Sequence, residues 1–252
     1  YLTLFQQGEK KPNLKLVERL VHAAILEGRL REAVAVGWAA QEKVGKPYPL
    51  FQALYAMMEA GQWEEMSRHL KRYGKTDGAA EQVDYWLLAA RLAQKQGNPK
   101  QAKAALERAM ASSPGSRAVR LAWLWLAIDH DKGKVLRQAL RDWADTAAID
   151  QEYWVPFAVA YGRLKEPHNA IEWWRRLAER NPHDIQYIAS YADALDLSGR
   201  PTEAWRLRRY VITRLKGRAV DTLARFVKKA KAGAEARRTS SYMANMRDTV
   251  IA

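Results

Sequence analysis

The sequence repeats a pattern of aromatic, small and turn-forming residues at a spacing of 34 residues. In the stretch 83–116, Trp86 begins an apolar helical pattern, and the residues Gly-Asn-Pro at 97–99 interrupt it. A Gly can end one helix and a Pro suits the first turn of the next, so these residues predict a tight turn. The small residues Ala90 and Ala102 let the two helices approach closely. A repeated unit of this length constrains the fold strongly, because each unit buries its apolar face only against its neighbours.

The same pattern returns elsewhere in the chain. Two periods on, 68 positions later, the matching residues are Trp154, Ala158, Tyr161, Pro167, Ala170, Trp174, Ala178 and Pro182. One further period on, they are Ala192, Leu195, Gly199, Pro201, Ala204 and Val211. Upstream, the matches are Gly28 with Ala33 and Ala40 and, more loosely, Gly61 with Trp63 and Leu70. The stretch 117–150 keeps the register but is degenerate, with Asp-Lys-Gly at 131–133 in its turn.

This pattern resembles the tetratricopeptide repeat (TPR) family, whose 34-residue unit contains two antiparallel helices. The resemblance implies an all-α fold, a TPR-like α-solenoid in which helix pairs form a right-handed superhelix. The predicted repeats are 14–47, 48–82, 83–116, 117–150, 151–184 and 185–218. Residues 1–13 are predicted to end a preceding repeat, and residues 219–252 to form a further helix and a basic C-terminal segment. Met66 and Leu136 depart from the pattern, since each stands where a small residue is expected.

Composition narrows the possible classes of protein. The chain has 252 residues, and the absence of Cys excludes disulfides, Cys-ligated zinc and thiol catalysis. The sequence has no uncharged apolar run long enough to predict a membrane-spanning helix. Because the sequence starts at Tyr1, inside an apparent helical pattern, we expect a piece of a longer chain. Any membrane anchor or targeting segment is then expected in other parts of that chain.

No motif of a catalytic or metal site is found in the sequence. The phosphate-binding loops G-x-x-x-x-G-K-[ST] and G-x-G-x-x-G are missing, and so are H-E-x-x-H and G-x-S-x-G. The five His are isolated and lack the spacing of metal ligands. We therefore predict no catalytic residue, metal or cofactor. Among the ten Trp, the side chains at repeat packing positions are predicted to be core aromatics, namely Trp86, Trp154 and Trp174.

The resemblance also implies where a ligand binds. In the TPR family, positions 2, 5, 9, 12 and 13 of the first helix line a concave groove. The predicted binding residues at these positions are Glu18, Tyr48, Phe51, Tyr55, Glu59, Asp84, Trp125, Asp129, Glu152, Asp193 and Asp196. Seven acids at these positions stand against four bases, Lys15, Arg91, Lys95 and Arg163, so the predicted net charge of the groove is −3. Since the whole chain carries +14, the rest carries +17, much of it on second helices and the C-terminal segment.

This distribution of charge bears on the kind of partner. An acidic groove argues against nucleic acid as its ligand, because phosphates need a basic lining. It favours a neutral or cationic ligand, with Tyr48, Phe51, Tyr55 and Trp125 as apolar or stacking surfaces. It also leaves the convex face or the C-terminal segment for an acidic partner. A mixed lining with no dedicated ligand explains the same count, and the sequence leaves open which face binds.

The long basic array, the absence of Cys and the many Trp resemble the periplasmic TPR region of bacterial PelB-type exopolysaccharide secretion proteins. That resemblance implies a non-catalytic periplasmic scaffold, part of an outer-membrane protein in a biofilm export system. It implies docking of a polysaccharide deacetylase or hydrolase and guidance of a cationic polysaccharide to an outer-membrane pore. The alternative is a generic TPR adaptor, in the cytoplasm, that binds a protein or peptide in its groove. An enzyme is the third hypothesis, and no catalytic constellation supports it.

Overall fold

A computed structural model describes residues 13–130 and 133–215. In these two ranges the regular elements are helices without a strand, so the predicted all-α fold is confirmed. The predictions for 1–12 and 216–252, the end of a preceding repeat and the basic C-terminal segment, lie outside the described residues, as do 131–132 in the degenerate turn. The chain divides between Val135 and Leu136 into two compact units, which we call unit 1 and unit 2.

Unit 1 has seven α-helices among its described residues. They are α1 Leu14–Leu26, α2 Leu30–Val44, α3 Tyr48–Glu59, α4 Trp63–Tyr73, α5 Val83–Lys95, α6 Pro99–Ser112 and α7 Arg117–His130, with a 3-10 turn at Ala79–Glu81. Helices that follow one another in the chain pack together, for example α1 with α2 and α5 with α6. Further contacts join α1 to α3, α3 to α5 and α5 to α7. These four alternate helices, the first helices of unit 1, therefore lie side by side.

The turns that follow α1, α3 and α5 have a left-handed residue. Gly28, Gly61 and Gly97 have φ values of 71°, 75° and 71°, a conformation that costs a residue with a side chain roughly 1–2 kcal/mol. In the last of these turns, the Asn98 side chain accepts a hydrogen bond of 3.1 Å from the backbone N–H of Gln101. The next helix then starts with a proline, whose missing N–H is not needed there. Gly97 and Pro99 thus have the roles expected of them, and the structure adds the helix cap by Asn98.

The core of unit 1 lies between these helices. Met66, which departs from the repeat pattern, is fully buried among the side chains of α1 to α4. A second cluster joins α5, α6 and α7 and contains the predicted small residues Ala90 and Ala102. Two helices approach closely at Gly37 in α2, where an added Cβ would lie 2.6 Å from the Cα of Leu50 in α3. Gly37 therefore lets the two backbones meet directly.

Unit 2 has six α-helices in the part that the structure describes, the first of which begins just before the division. They are α8 Lys134–Asp142, α9 Ala144–Ile149, α10 Trp154–Arg163, α11 Pro167–Arg180, α12 Ile185–Leu197 and α13 Pro201–Leu215, with a 3-10 helix at Gln151–Tyr153. The degenerate stretch 117–150 thus ends in two short helices, α8 and α9. Leu136, the second departure from the pattern, is buried. The turn before α11 has Lys165 at φ 59° where the other repeats place Gly.

Candidate functional site

The row of first helices in unit 1 brings the predicted groove residues of four repeats onto neighbouring helices. We call their exposed and half-buried members the first-helix face of unit 1. Its members are Lys15, Glu18, His22, Ile25, Leu26, Tyr48, Tyr55, Met58, Glu59, Asp84, Arg91, Gln94, Lys95, Ala118, Leu121, Trp125 and Asp129. Seven of the predicted binding residues lie on the same row of helices, and an eighth, Phe51, does not belong to this face.

Phe51 is a correction to the prediction. Its side chain is 1% exposed, and its ring packs edge-on against Tyr73, with the ring centroids 4.9 Å apart. A side chain that fills the core between α3 and α4 offers no surface to a ligand. The repeat position placed Phe51 on the groove side of the helix, but its large apolar ring is better stabilised by burial.

Tyr48 is the exposed aromatic residue of this face. It lies at the start of α3, is 54% exposed, and its hydroxyl accepts a hydrogen bond of 2.9 Å from the Gln52 side-chain amide. This bond to Gln52, one helical turn further along α3, holds the Tyr48 hydroxyl in place and leaves the ring exposed to solvent. An exposed, positioned aromatic ring is a common anchor for a protein partner, because it buries a large apolar area at a small cost in side-chain entropy.

Tyr55 and Asp84 form a hydrogen bond between two first helices. The Tyr55 hydroxyl donates to the Asp84 carboxylate over 3.0 Å, which links α3 to α5. Burial raises the pKa of the Tyr55 phenol strongly, and the negative charge of Asp84 raises it further. Tyr55 therefore stays neutral and keeps its proton on this bond. Both residues belong to the first-helix face, and the Tyr55 hydroxyl and the Asp84 carboxylate already have each other as hydrogen-bond partners.

The charge of the first-helix face is nearly balanced. Its four acids, Glu18, Glu59, Asp84 and Asp129, stand against the three bases Lys15, Arg91 and Lys95, which leaves a net charge of −1. Lys95 lies over the ring of Trp63, with its ammonium 5.6 Å from the ring centroid. Trp125 is half-buried on α7, one turn before the exposed Asp129. A face with both signs of charge suits a partner that also has both.

In unit 2 the predicted acids have a different role. Asp193 and Asp196, one turn apart on α12, both bind the Arg208 guanidinium from α13, the first at 3.0 Å. The Arg208 side chain is only 12% exposed. Glu152 lies apart from them, exposed in the 3-10 helix.

Arg208 changes the charge count, because it is not a groove position and the sequence count omitted it. The predicted positions of unit 2 hold three acids and the base Arg163. With Arg208 added, the net charge of unit 2 is −1. Counting Arg208 changes the total net charge from the predicted −3 to −2, which is −1 in each unit. An acidic groove with a strong field for cations is not supported.

The tryptophans at the repeat packing positions are half-buried and not fully inside the core, and Trp86 packs against the core cluster of α5, α6 and α7. Trp86 donates a hydrogen bond of 2.7 Å to the Ala80 carbonyl, and Arg108 lies 4.7 Å from its ring centroid. Trp154 likewise donates to the Ala147 carbonyl, over 2.9 Å. A large ring with one N–H donor is well placed at a repeat boundary, where one edge meets a backbone carbonyl and one face meets solvent.

Sequence reasoning missed a cluster between α2 and α4. Trp38 is 6% exposed and donates a hydrogen bond of 3.1 Å to Nδ1 of His69, while the Arg72 guanidinium lies 4.0 Å from the Trp38 ring centroid. Burial lowers the pKa of His69. The sequence predicted an isolated histidine, but His69 has Trp38 as a hydrogen-bond partner. Helical spacing alone gives no signal for it, since its partner is 31 positions away.

No group of three or more His, Cys, Asp or Glu side chains in residues 13–130 and 133–215 is arranged to hold a metal ion. In the same ranges, no helix is both long enough and apolar enough to cross a membrane.

The chain matches the tetratricopeptide repeat family over residues 3–217. It is similar in fold to a tetratricopeptide repeat protein from Parabacteroides merdae ATCC 43184, with a TM-score of 0.57, 14% identity and coverage of 94% of this chain and 98% of that one. MamA AMB-1 gives a TM-score of 0.53 and 20% identity over 62% of this chain and 91% of its own. MamA MSR-1 gives a TM-score of 0.51 and 18% identity, with coverage of 62% of this chain and 88% of its own. At these identities the similarity concerns the fold alone. No match was found among curated proteins.

Proposed function

Because the chain belongs to the tetratricopeptide repeat family, whose arrays typically serve as scaffolds for protein interaction, we propose that it is a non-catalytic scaffold. Its binding surface is the first-helix face of unit 1, and its ligand is a segment of a partner protein. The observation that carries the proposal is the row of four first helices, which puts the exposed Tyr48 ring on the same face as charged side chains of both signs.

The chemistry of the face favours a peptide over a polyanion. A nucleic acid needs several Lys or Arg to replace its counterions, whereas this face has a net charge of −1. The exposed ring of Tyr48 supplies apolar area at the start of α3, and Arg91, Lys95 and Glu59 are exposed charges further along the same row of helices. Exposed charges of this kind select a partner and its orientation more than they add affinity.

Site-specific photo-cross-linking tests the proposal. A benzoylphenylalanine at position 48 is expected to form a covalent adduct with a partner in cells that express the full-length protein. The matched control carries the same group at Lys71, an exposed position on α4 outside the first-helix face. Adducts of equal yield at both positions, or at position 71 alone, would remove the first-helix face from the proposal.

In its finer form the proposal places this scaffold in the bacterial periplasm, within an exopolysaccharide export system of the outer membrane. There it docks a polysaccharide deacetylase or hydrolase and helps to guide a cationic polysaccharide. The sequence resemblance supports this form, together with an exposed aromatic ring and exposed carboxylates at Glu59 and Asp129. The small net charge makes enzyme docking the larger part of the role, since it attracts a polycation only weakly.

The identity of the cross-linked partner separates the finer form from its alternative. A polysaccharide deacetylase or hydrolase in the Tyr48 adduct, recovered from the envelope fraction, is the result expected for an export scaffold. Adducts confined to cytoplasmic proteins would replace it with the generic TPR adaptor, which the same face and the same family support.

A further inference from the structure

An apolar pocket lies between α6 and α7 in unit 1. It has a volume of about 200 Å³, which exceeds the roughly 150 Å³ of an engineered apolar cavity that binds benzene. The lining residues are Pro99, Lys100, Lys103, Trp123, Leu126, Ala127 and His130. Leu126 and Ala127 are 4% and 5% exposed, so they form its floor, and the half-buried Trp123 forms a wall. The pocket is large enough for one bulky apolar side chain.

This pocket and the first-helix face occupy different sides of α7. The pocket uses Trp123, Leu126, Ala127 and His130, whereas the predicted groove positions of the same helix are Ala118, Leu121, Trp125, Ile128 and Asp129. At 3.6 residues per turn, the centres of the two sets are separated by roughly 160° around the helix. A ligand in the pocket therefore does not compete with one on the first-helix face.

The rim of the pocket is positively charged. This charge comes from Lys100 and Lys103, which are exposed and have no ion pair with any residue that the structure describes, and the exposed His130 adds a polar edge. Lysines of this kind lay their aliphatic stems along apolar surface and keep their ammonium groups in water. The nearest acid along α6 is Glu107, one turn beyond Lys103, and Asp129 points to the other side of α7. The opening therefore attracts carboxylates.

We propose that this pocket binds a large apolar side chain from an acidic peptide segment of a partner protein. The apolar side chain enters between Trp123 and Leu126, and flanking carboxylates pair with Lys100 and Lys103. The volume favours one side chain over a small-molecule ligand, because sites for such ligands usually exceed about 300 Å³. This site goes beyond the proposed function, since it needs neither Tyr48 nor any other residue of the first-helix face.

Titration of the whole 252-residue chain with synthetic peptides, followed by NMR chemical shifts, tests the site. The probe is a nine-residue peptide with a central Phe flanked by Asp and Glu. Two matched peptides serve as controls. In the first, Ser replaces the central Phe; in the second, Lys replaces the flanking Asp and Glu. We expect the acidic Phe peptide to shift the indole N–H of Trp123 and to bind at least tenfold more tightly than either matched peptide. The Ser peptide lacks the apolar anchor, and the Lys peptide is repelled by Lys100 and Lys103.

Charge-reversal variants show where the peptide binds. Lys100→Glu combined with Lys103→Glu is expected to weaken binding about tenfold. The matched control, Lys71→Glu with Lys75→Glu, makes the same change in net charge on exposed positions of unit 1 outside the pocket and is expected to stay within twofold. Arg91→Glu, on the first-helix face, is also expected to stay within twofold, so this site and the proposed function fail or survive separately.

Several results would overturn the proposal. Equal binding of the Phe and Ser peptides would show that the pocket is not used, and equal weakening by the control pair would show a nonspecific charge effect. Absence of binding by the acidic Phe peptide would reject the site. Binding of decanoate with no binding of the peptide would assign the pocket to a lipid-like anion instead.

Discussion

Units 1 and 2 are built from the same repeat, yet they treat its groove positions differently. In unit 1, Glu59, Arg91 and Asp129 are exposed charges on the first helices. In unit 2, Asp193 and Asp196 hold an arginine from the following helix that is almost removed from solvent. A repeat position therefore tells which side of a helix a residue occupies, but a neighbouring helix decides whether its charge is available to a ligand.

A helical glycine in each unit has very different surroundings. In unit 1 the backbone of α2 meets α3 at Gly37, with no room for a side chain. In unit 2, a Cβ added at Gly162, near the end of α10, would have no heavy atom of a neighbouring helix within 4 Å. One glycine is required by packing and the other is not, although both lie within helices.

The largest expected effect comes from adding one methyl group at each of these glycines. Gly37→Ala should destabilise the protein by about 2–3 kcal/mol, because the new Cβ overlaps the α3 backbone, which cannot move without disturbing the core. Gly162→Ala should stabilise it by about 0.5–1 kcal/mol, since Ala loses less backbone entropy in a helix. Urea unfolding midpoints measure both changes. Two variants that shift the midpoint equally would contradict the difference in packing.

A somewhat smaller effect is expected from removing Arg208. Arg208→Met leaves the Asp193 and Asp196 carboxylates one turn apart without their shared partner, and it should cost about 2 kcal/mol. This is less than for a fully buried pair, because both carboxylates are about 30% exposed. Thermal unfolding measures the loss.

Two further variants serve as controls for Arg208. Arg200→Met breaks an exposed pair with Glu203 in the same unit and should leave the melting temperature nearly unchanged. Adding Asp193→Asn and Asp196→Asn to Arg208→Met should recover part of the loss, since it removes the repulsion. A triple variant no more stable than the single one would show that Arg208 acts through packing rather than charge.

The sequence predicted the local structure well where one residue decides the conformation. Gly97 and Pro99 predict a turn, and the structure ends α5 at Lys95 and starts α6 at Pro99. The small residues Ala90 and Ala102 predict close packing, and both are buried at 1% and 0% exposure. Such features depend on backbone geometry and side-chain size, and the residue type at each position determines both.

The candidate site was harder to predict, because its properties depend on partners far away in the chain. Phe51 has the spacing of a groove residue but is buried against Tyr73, and Tyr55 is bonded to Asp84, 29 positions away. Arg208 is outside the groove positions, so a count along the first helices misses it. The pocket beside Lys100 arises only when α6 and α7 pack. Helical periodicity assigns faces and does not report these contacts.

The smallest expected effect separates the units by their response to pH. In unit 1, burial lowers the pKa of His69 below its ordinary value of 6.5, so the unfolded chain binds a proton more readily than the folded one. The contribution of His69 to the free energy of unfolding should therefore be fully present above about pH 6.5 and decrease as the pH falls below that value. In unit 2, the hydrogen bond from Arg137 helps to lower the pKa of Glu166 below 4.5, so its contribution is lost only in stronger acid.

Melting temperatures measured between pH 7.5 and 5.5 test this difference. The wild-type protein should lose stability over that range, because a protonated Nδ1 of His69 can no longer accept the Trp38 hydrogen bond. His69→Gln keeps an acceptor without a titrating group and should flatten the slope. Glu166→Gln, the matched change in unit 2, should leave the slope as it is. If His69→Gln retains the full slope, the pH response belongs to other groups, and the cluster between α2 and α4 stabilises unit 1 by packing alone.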